Sequence, residues 1–172
     1  MAFFKDCLAQ TAYTATSVKE EMCQQYFQQD FELTEKLCAD QKLHGVDVTG
    51  FGEIIRKKNL ITLRILRLSH QILQKIAAYI DFFKNDSIFK TQIQPLRNLL
   101  CEIKRALGKY GESPENVTRA IIPQELKLDR TSYSKRVNQF VVLRDYMLVM
   151  EIIRNGLEKK CPERTNPVLV YY

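Results

Sequence analysis

The sequence predicts an all-α fold: a long-chain four-helix bundle in up-up-down-down order, with two long crossover loops. Three observations predict it. Apolar residues recur at three- and four-residue intervals through four separate segments, the pattern of helices with one buried face. The second and third segments are joined by only Lys84-Asn85-Asp86-Ser87. The connections on either side are each roughly twenty residues long, well beyond an ordinary link between helices.

The first helix is expected over residues 8–35, where Leu8, Ala12, Ala15, Val18, Met22 and Tyr26 follow one another at helical spacing and Ser17, Glu20 and Gln24 face away. Periodicity then fails over residues 37–53, and Gly45, Asp47, Gly50 and Gly52 mark a loop. The second helix, over 54–83, is the most apolar segment: Ile65, Ser69, Ile72, Ile76, Tyr79 and Phe83 form its best seam, with Leu66, Leu73 and Ile80 alongside. After the short turn, Ser87 or Thr91 can cap the third helix, and Pro95 is tolerated if it falls in the first turn. That helix carries Ile93, Leu96, Leu100, Ile103, Leu107 and Tyr110 and closes at Gly108 or Gly111.

A second loop with Pro114 and Pro123 leads to the fourth helix, over 131–160. Thr131 and Ser132 precede it as capping hydroxyls, and Lys159-Lys160-Cys161-Pro162 ends it with basic residues and a proline. Its apolar stripe, Val137, Phe140, Val141, Leu143, Met147, Leu148, Met150, Ile152 and Leu157, is too wide for a two-stranded coiled coil, so this helix packs against several others. Val168 to Tyr172 form a short apolar tail, expected on the bundle surface.

Loop length decides the topology. The short turn makes helices two and three antiparallel. A helix of about twenty-five residues is roughly 37 Å long, whereas twenty extended residues reach about 66 Å, so each long loop can cross the bundle and let its helices run parallel. Long, short, long is the connectivity of growth hormone and cytokine bundles. It would bring Cys7, Cys101 and Cys161 to one end of the molecule.

The chain has 172 residues, 45% hydrophobic and 27% charged, which fits one soluble domain over residues 1–172. No apolar run is long enough for a membrane span, so no membrane insertion is expected. Lys5, Asp6 and Gln10 occupy the place of a signal peptide's apolar centre, which leaves a cytosolic protein and a processed exported one both open. The net charge of +6 is spread without a dense basic block, so nucleic acid is not expected as the main ligand. Five cysteines form no CxxC pair and have no histidine at ligand spacing, so no metal site is expected. His44 is placed in a loop and His70 at a helix surface or boundary; Leu66, Arg67, Leu68 and Ser69 before His70 exclude the Glu-x-x-His of di-iron bundles. With no phosphate-binding glycine loop, nucleophile elbow or Cys-His arrangement, neither enzymatic activity nor a cofactor is expected. Asn85-Asp86-Ser87 and Asn116-Val117-Thr118 are glycosylation triplets in expected loops.

Several local stretches, in order, resemble the leukaemia inhibitory factor, oncostatin M and ciliary neurotrophic factor group of interleukin-6-type cytokines. Cys7 ahead of Ala15-Thr16-Ser17-Val18-Lys19-Glu20-Glu21-Met22 is similar to that family's first helix, and Glu35-Lys36-Leu37-Cys38 to a step in its first crossover. Leu99-Leu100-Cys101 with Lys109-Tyr110 resembles the end of its third helix. Tyr133-Ser134-Lys135-Arg136 stands where the family has Phe-x-x-Lys at the start of helix four.

The resemblance implies a secreted, monomeric cytokine bridging two receptor ectodomains. Tyr133, Lys135 and Arg136 would meet a chain like the leukaemia inhibitory factor receptor, an aromatic and cations of the kind favoured at interface hot spots. Ser17, Glu20 and Gln24 with Gln94, Arg97 and Asn98 would meet one like glycoprotein 130. It also implies a Cys7 to Cys101 bridge. Where the family partners its crossover cysteine from helix four, this chain has only Asn138, Gln139 and Phe140, so Cys38, like Cys23 and Cys161, has no assigned partner. Two alternatives stand beside this reading. The first turn of helix four can be a capped end with solvated charges, and the protein can be an intracellular helical adaptor with reduced cysteines that binds a partner helix.

Overall fold

The computed structural model describes residues 2–26, 36, 38–57, 60–114, 121–128 and 132–159. These form six helices and, among the described residues, no strand: α1 (Ala2–Tyr26), α2 (Val48–Arg56), α3 (Thr62–Phe82), α4 (Ser87–Lys109), α5 (Gln124–Leu128) and α6 (Ser132–Glu158). The all-α expectation holds. The bounds of the expected third and fourth helices agree closely with α4 and α6. The first starts earlier than expected, at Ala2, and the stretch 27–35 lies outside the described residues.

The expected second helix starts later, at Thr62, and most of α2 falls in the expected first loop, sharing only Ile54, Ile55 and Arg56 with the expected helix. Asp47 caps α2 by accepting the Gly50 N–H at 2.9 Å, and Phe51 and Ile55 bury the inner face. Lys57 and Ile61 then adopt extended backbone, and α3 begins at Thr62. Gly52 lets α2 approach α6 closely, since a Cβ there would sit 3.3 Å from Ile152 Cδ1. α5 is a single short turn within the second expected loop.

In α4 the cap residue is Asp86, so Pro95 lies in the third turn and not the first. It removes one helical N–H from the ladder there. The end of α4 follows expectation: Gly111, at φ 73°, donates to the Gly108 carbonyl and Glu112 donates to the Leu107 carbonyl, a Schellman closure.

α1 packs against α6 and α4, α3 against α4 and α6, and α2 lies on α6 beside the start of α3. End-to-end contacts give the directions. The Lys109 ammonium at the end of α4 stands 4.9 Å over the Phe3 ring, while the Thr91 hydroxyl near the start of α4 donates to Glu21 at 2.7 Å, so α1 and α4 are antiparallel. Arg67 of α3 pairs with Glu112 beyond the end of α4, as the tight turn at their other ends requires. Gln139 near the start of α6 donates to Asp86 at 2.8 Å, and Gly156 near its end abuts Ile55 and Ile65, so α6 runs antiparallel to α3.

The core runs the length of the helices, with Val18, Met22, Ile65, Leu66, Leu73, Ile76, Leu99, Ile103, Val149 and Met150 among its most enclosed members. From Gln139 to Met147 every residue of α6 is buried, because helices or loop cover all sides of this stretch. Polar groups in the core are mostly satisfied: the Thr11 and Thr14 hydroxyls donate to carbonyls one turn back, Cys7 and Gln10, at 2.7 and 2.8 Å. The Tyr146 hydroxyl is buried with no hydrogen-bond partner among the described residues. Tyr146→Phe is therefore expected to leave stability unchanged or raise it by about 1 kcal/mol, read as a shift in urea midpoint.

Two sequence expectations are corrected. His70 is buried, not at the surface, and its ring nitrogen lies 3.3 Å from the Gln74 amide. Burial, and secondarily the Lys104 charge, holds its pKa below the ordinary value. The neutral ring is thus the form that folds, so its contribution is complete above the unfolded pKa, near 6.5, and is lost as pH falls through the lower folded value. His70→Gln should flatten the fall in melting temperature between about pH 7 and 5; an unchanged fall would assign that pH dependence to other groups.

The Cys7 to Cys101 bridge is the second correction: both are free thiols, Cys7 enclosed in the core and Cys101 exposed on α4. The two helices are neighbours, but Cys101 sits on the side of α4 opposite buried Leu99 and Ile103. Burial pushes the Cys7 thiol up to about 11, which leaves it unreactive. Cys38 is also a free, buried thiol; the Cys23 side chain and Cys161 lie outside the described residues, as does the tail from Val168 to Tyr172.

Candidate partner-binding surfaces

The start of α6 is built against the tight α3–α4 turn. Lys135 and Arg136 are exposed in its first turns, and Tyr133 belongs to the first turn, with its side chain outside the described residues. Beside them opens a cleft of about 320 Å³ lined by Phe82, Phe83, Asn85, Asp86, Leu126, Lys135 and Gln139. Its wall is fixed from behind. The Phe82 ring meets Phe83 edge-on at 4.8 Å, Phe83 packs at a tilt with its centroid 5.1 Å from that of buried Phe89, and Gln139 ties Asp86 to α6. The cleft thus offers an exposed ring, Phe82, and a cation, Lys135, on a rigid frame. That suits an apolar partner side chain flanked by a carboxylate. Sequence reasoning missed Phe82 and Leu126, because no periodicity argument places a turn and a short loop helix beside the start of α6.

The second candidate surface is divided. Glu20 is exposed on α1, Ser17 is half-buried, its hydroxyl 3.5 Å from Glu21, and the Gln24 side chain lies outside the described residues. Gln94, Arg97 and Asn98 are all exposed on α4, and the Gln94 amide donates to Asn98 at 2.8 Å. Glu21 links the two helices by accepting from Thr91 at 2.7 Å and from Gln92 at 3.3 Å, which puts Ser17 and Glu20 beside the start of α4. Arg97 belongs to the other flank. It lines a cleft of about 450 Å³ between α3 and α4, whose floor is Ala77, Ala78, Ile93, Leu96 and Leu100. Ser17, Glu20, Gln94 and Asn98 can therefore share a surface, and Arg97 looks toward α3.

A third group of residues, which helical periodicity does not single out, lies on α6. Arg144 and Asp145, both buried, pair side by side on α6, with Asp145 Oδ1 accepting from Arg144 Nε at 2.9 Å and Nη2 at 2.8 Å. The remaining guanidinium donors reach the first long connection, bonding the Cys38 and Gln41 carbonyls at 2.6 Å each. The Leu43 N–H supports the Asp145 carboxylate, and the Tyr79 hydroxyl donates to the His44 carbonyl at 2.8 Å. Burial pushes the Asp145 carboxyl above its ordinary range, with Arg144 opposing that shift. The group has the character of a loop anchor: its donors and acceptors are spent on each other and on the backbone of the connection.

Of the glycosylation candidates, Asn85 is exposed in the turn, and Asn116 lies outside the described residues. Among the described residues no group of histidine, cysteine and carboxylate side chains could hold a metal ion, and no helix is long and apolar enough to cross a membrane. Comparison of the chain with family models, curated proteins and solved structures finds no match.

Proposed function

We propose that the chain is a long-chain four-helix cytokine, with α1, α3, α4 and α6 in up-up-down-down order, that acts by bringing two receptor ectodomains together. The observation that carries this reading is the set of helix directions. α1 is antiparallel to α4, α4 to α3, and α3 to α6, so α1 and α3 share one sense across a long connection and α4 and α6 the other across a second. Two long crossovers around a short turn are the mark of that bundle class.

The mechanism is geometric. The first turn of α6, with Tyr133, Lys135, Arg136 and the adjoining cleft, engages a chain like the leukaemia inhibitory factor receptor. The outward residues of α1 and α4 engage one like glycoprotein 130, and the packed helices fix the separation of the two. No cofactor enters, and the protein acts as a monomer outside the cell.

A second reading, an intracellular adaptor for a partner helix, is favoured by one observation: Cys7, Cys38 and Cys101 stand as free thiols. Peptide mapping of the protein from its native source under non-reducing conditions separates the two. A disulfide among the five cysteines, or a glycan at Asn85 or Asn116, supports the cytokine; five free thiols support the adaptor.

A further inference from the structure

The sequence disperses its cations, but the fold gathers several of them on α4. That helix carries Lys90, Arg97, Lys104, Arg105 and Lys109 against a single acid, Glu102, which is engaged by Arg105. Lys90, Arg97 and Lys104 are spaced by seven residues, two turns of helix, so they form one line with steps of about 10 Å along the axis. All three are exposed, and none has an ion-pair partner among the described residues. The line runs along the α3 side of α4: Arg97 rims the cleft between these helices, and the Lys104 charge is felt at His70 of α3. One carboxylate, Asp81, lines the same cleft. Gln94 and Asn98 add uncharged amide donors on the neighbouring strip.

We propose that this face of α4 binds a linear sulfated polysaccharide lying along the helix. Regularly spaced point charges on a straight element suit an extended polyanion with repeating sulfates, and a net charge of +6 favours its approach. Nucleic acid fits less well. The exposed face of α4 between Lys90 and Arg105 carries no aromatic residue on which bases could stack. α4 is also flanked by α1 and α3, so it does not stand free to enter a groove about 12 Å wide. The inference rests on the extracellular reading only for the polymer's source, and it is tested separately from receptor engagement.

The test is binding of a fluorescent heparin oligosaccharide to the full chain across a salt series. Wild type should bind with affinity falling steeply with salt. Lys90→Ala/Arg97→Ala/Lys104→Ala should bind at least about tenfold more weakly with a shallower salt slope, as fewer counterions are released. Its helicity and melting temperature should be unchanged. A control with equal charge loss, Lys19→Ala/Lys42→Ala/Lys159→Ala at exposed positions, should retain most of the binding. Equal losses in the two triples would reduce the effect to net charge and overturn the site. Tighter binding of a single-stranded RNA or a DNA duplex than of heparin would overturn the ligand class.

Discussion

Arg144→Leu is expected to be among the most damaging single changes in the chain, costing about 3–5 kcal/mol of stability because it leaves a buried carboxylate unpaired. It also strips donors from the Cys38 and Gln41 carbonyls, the contacts that hold the first long connection on α6. Asp145 would respond by titrating higher still, since burial already raises it and Arg144 is the opposing charge. Two measurements read the effect. Urea unfolding gives the loss in stability, and amide hydrogen exchange should show faster exchange over residues 38–46 than in α3. The double variant Arg144→Leu/Asp145→Leu should recover part of the loss, as no lone charge remains, while the loop stays fast-exchanging. A loss under about 1 kcal/mol for the single variant would mean that the pair is not an anchor.

Tyr133→Ala/Arg136→Ala carries the second large effect, and this one falls on binding. An aromatic anchor beside a cation is the composition that alanine scanning most often finds at interface hot spots, each worth about 2 kcal/mol or more. The double variant should therefore lose at least about a hundredfold in affinity for a leukaemia inhibitory factor receptor-like ectodomain. Arg136 is exposed and the pair sits at a helix end, so helicity and melting should be unaltered. Phe82→Ala, in the exposed wall of the adjoining cleft, should weaken the same interaction and leave glycoprotein 130-like binding intact. Normal signalling by the Tyr133/Arg136 variant would place the receptor contact elsewhere.

The four long helices were legible because each has an apolar seam repeated over several turns. α2 was not, because Gly50 and Gly52 read as loop punctuation. Yet Val48, Phe51 and Ile55 carry helical spacing there, and Asp47 three residues before Gly50 is a cap pattern. Pro95 misled by suggesting a later start for α4; the packed helix tolerates a missing N–H in its third turn.

Side-chain facing was the harder problem. Bundle topology brings Cys7 and Cys101 to adjacent helices, but the stripe through Leu99, Ile103 and Leu107 already directs Cys101 outward. Arg144 lies one turn from both Phe140 and Met147, on a face that had to be buried. A charged pair inside an apolar stripe is a readable signal of an internal anchor; what it anchors depends on the path of a loop without periodicity. The cleft beside Lys135 depends likewise on where the turn and α5 fall.

The most direct test of the bridging account is the mass of the assembled complex. The 20.1 kDa chain is mixed with soluble ectodomains of leukaemia inhibitory factor receptor and glycoprotein 130 type, and the mixture is resolved by size exclusion with light scattering. A species whose mass is the sum of one copy of each of the three chains, abolished by Tyr133→Ala/Arg136→Ala, is the result expected. Elution of the chain alone at its monomer mass, with both ectodomains free, would contradict it.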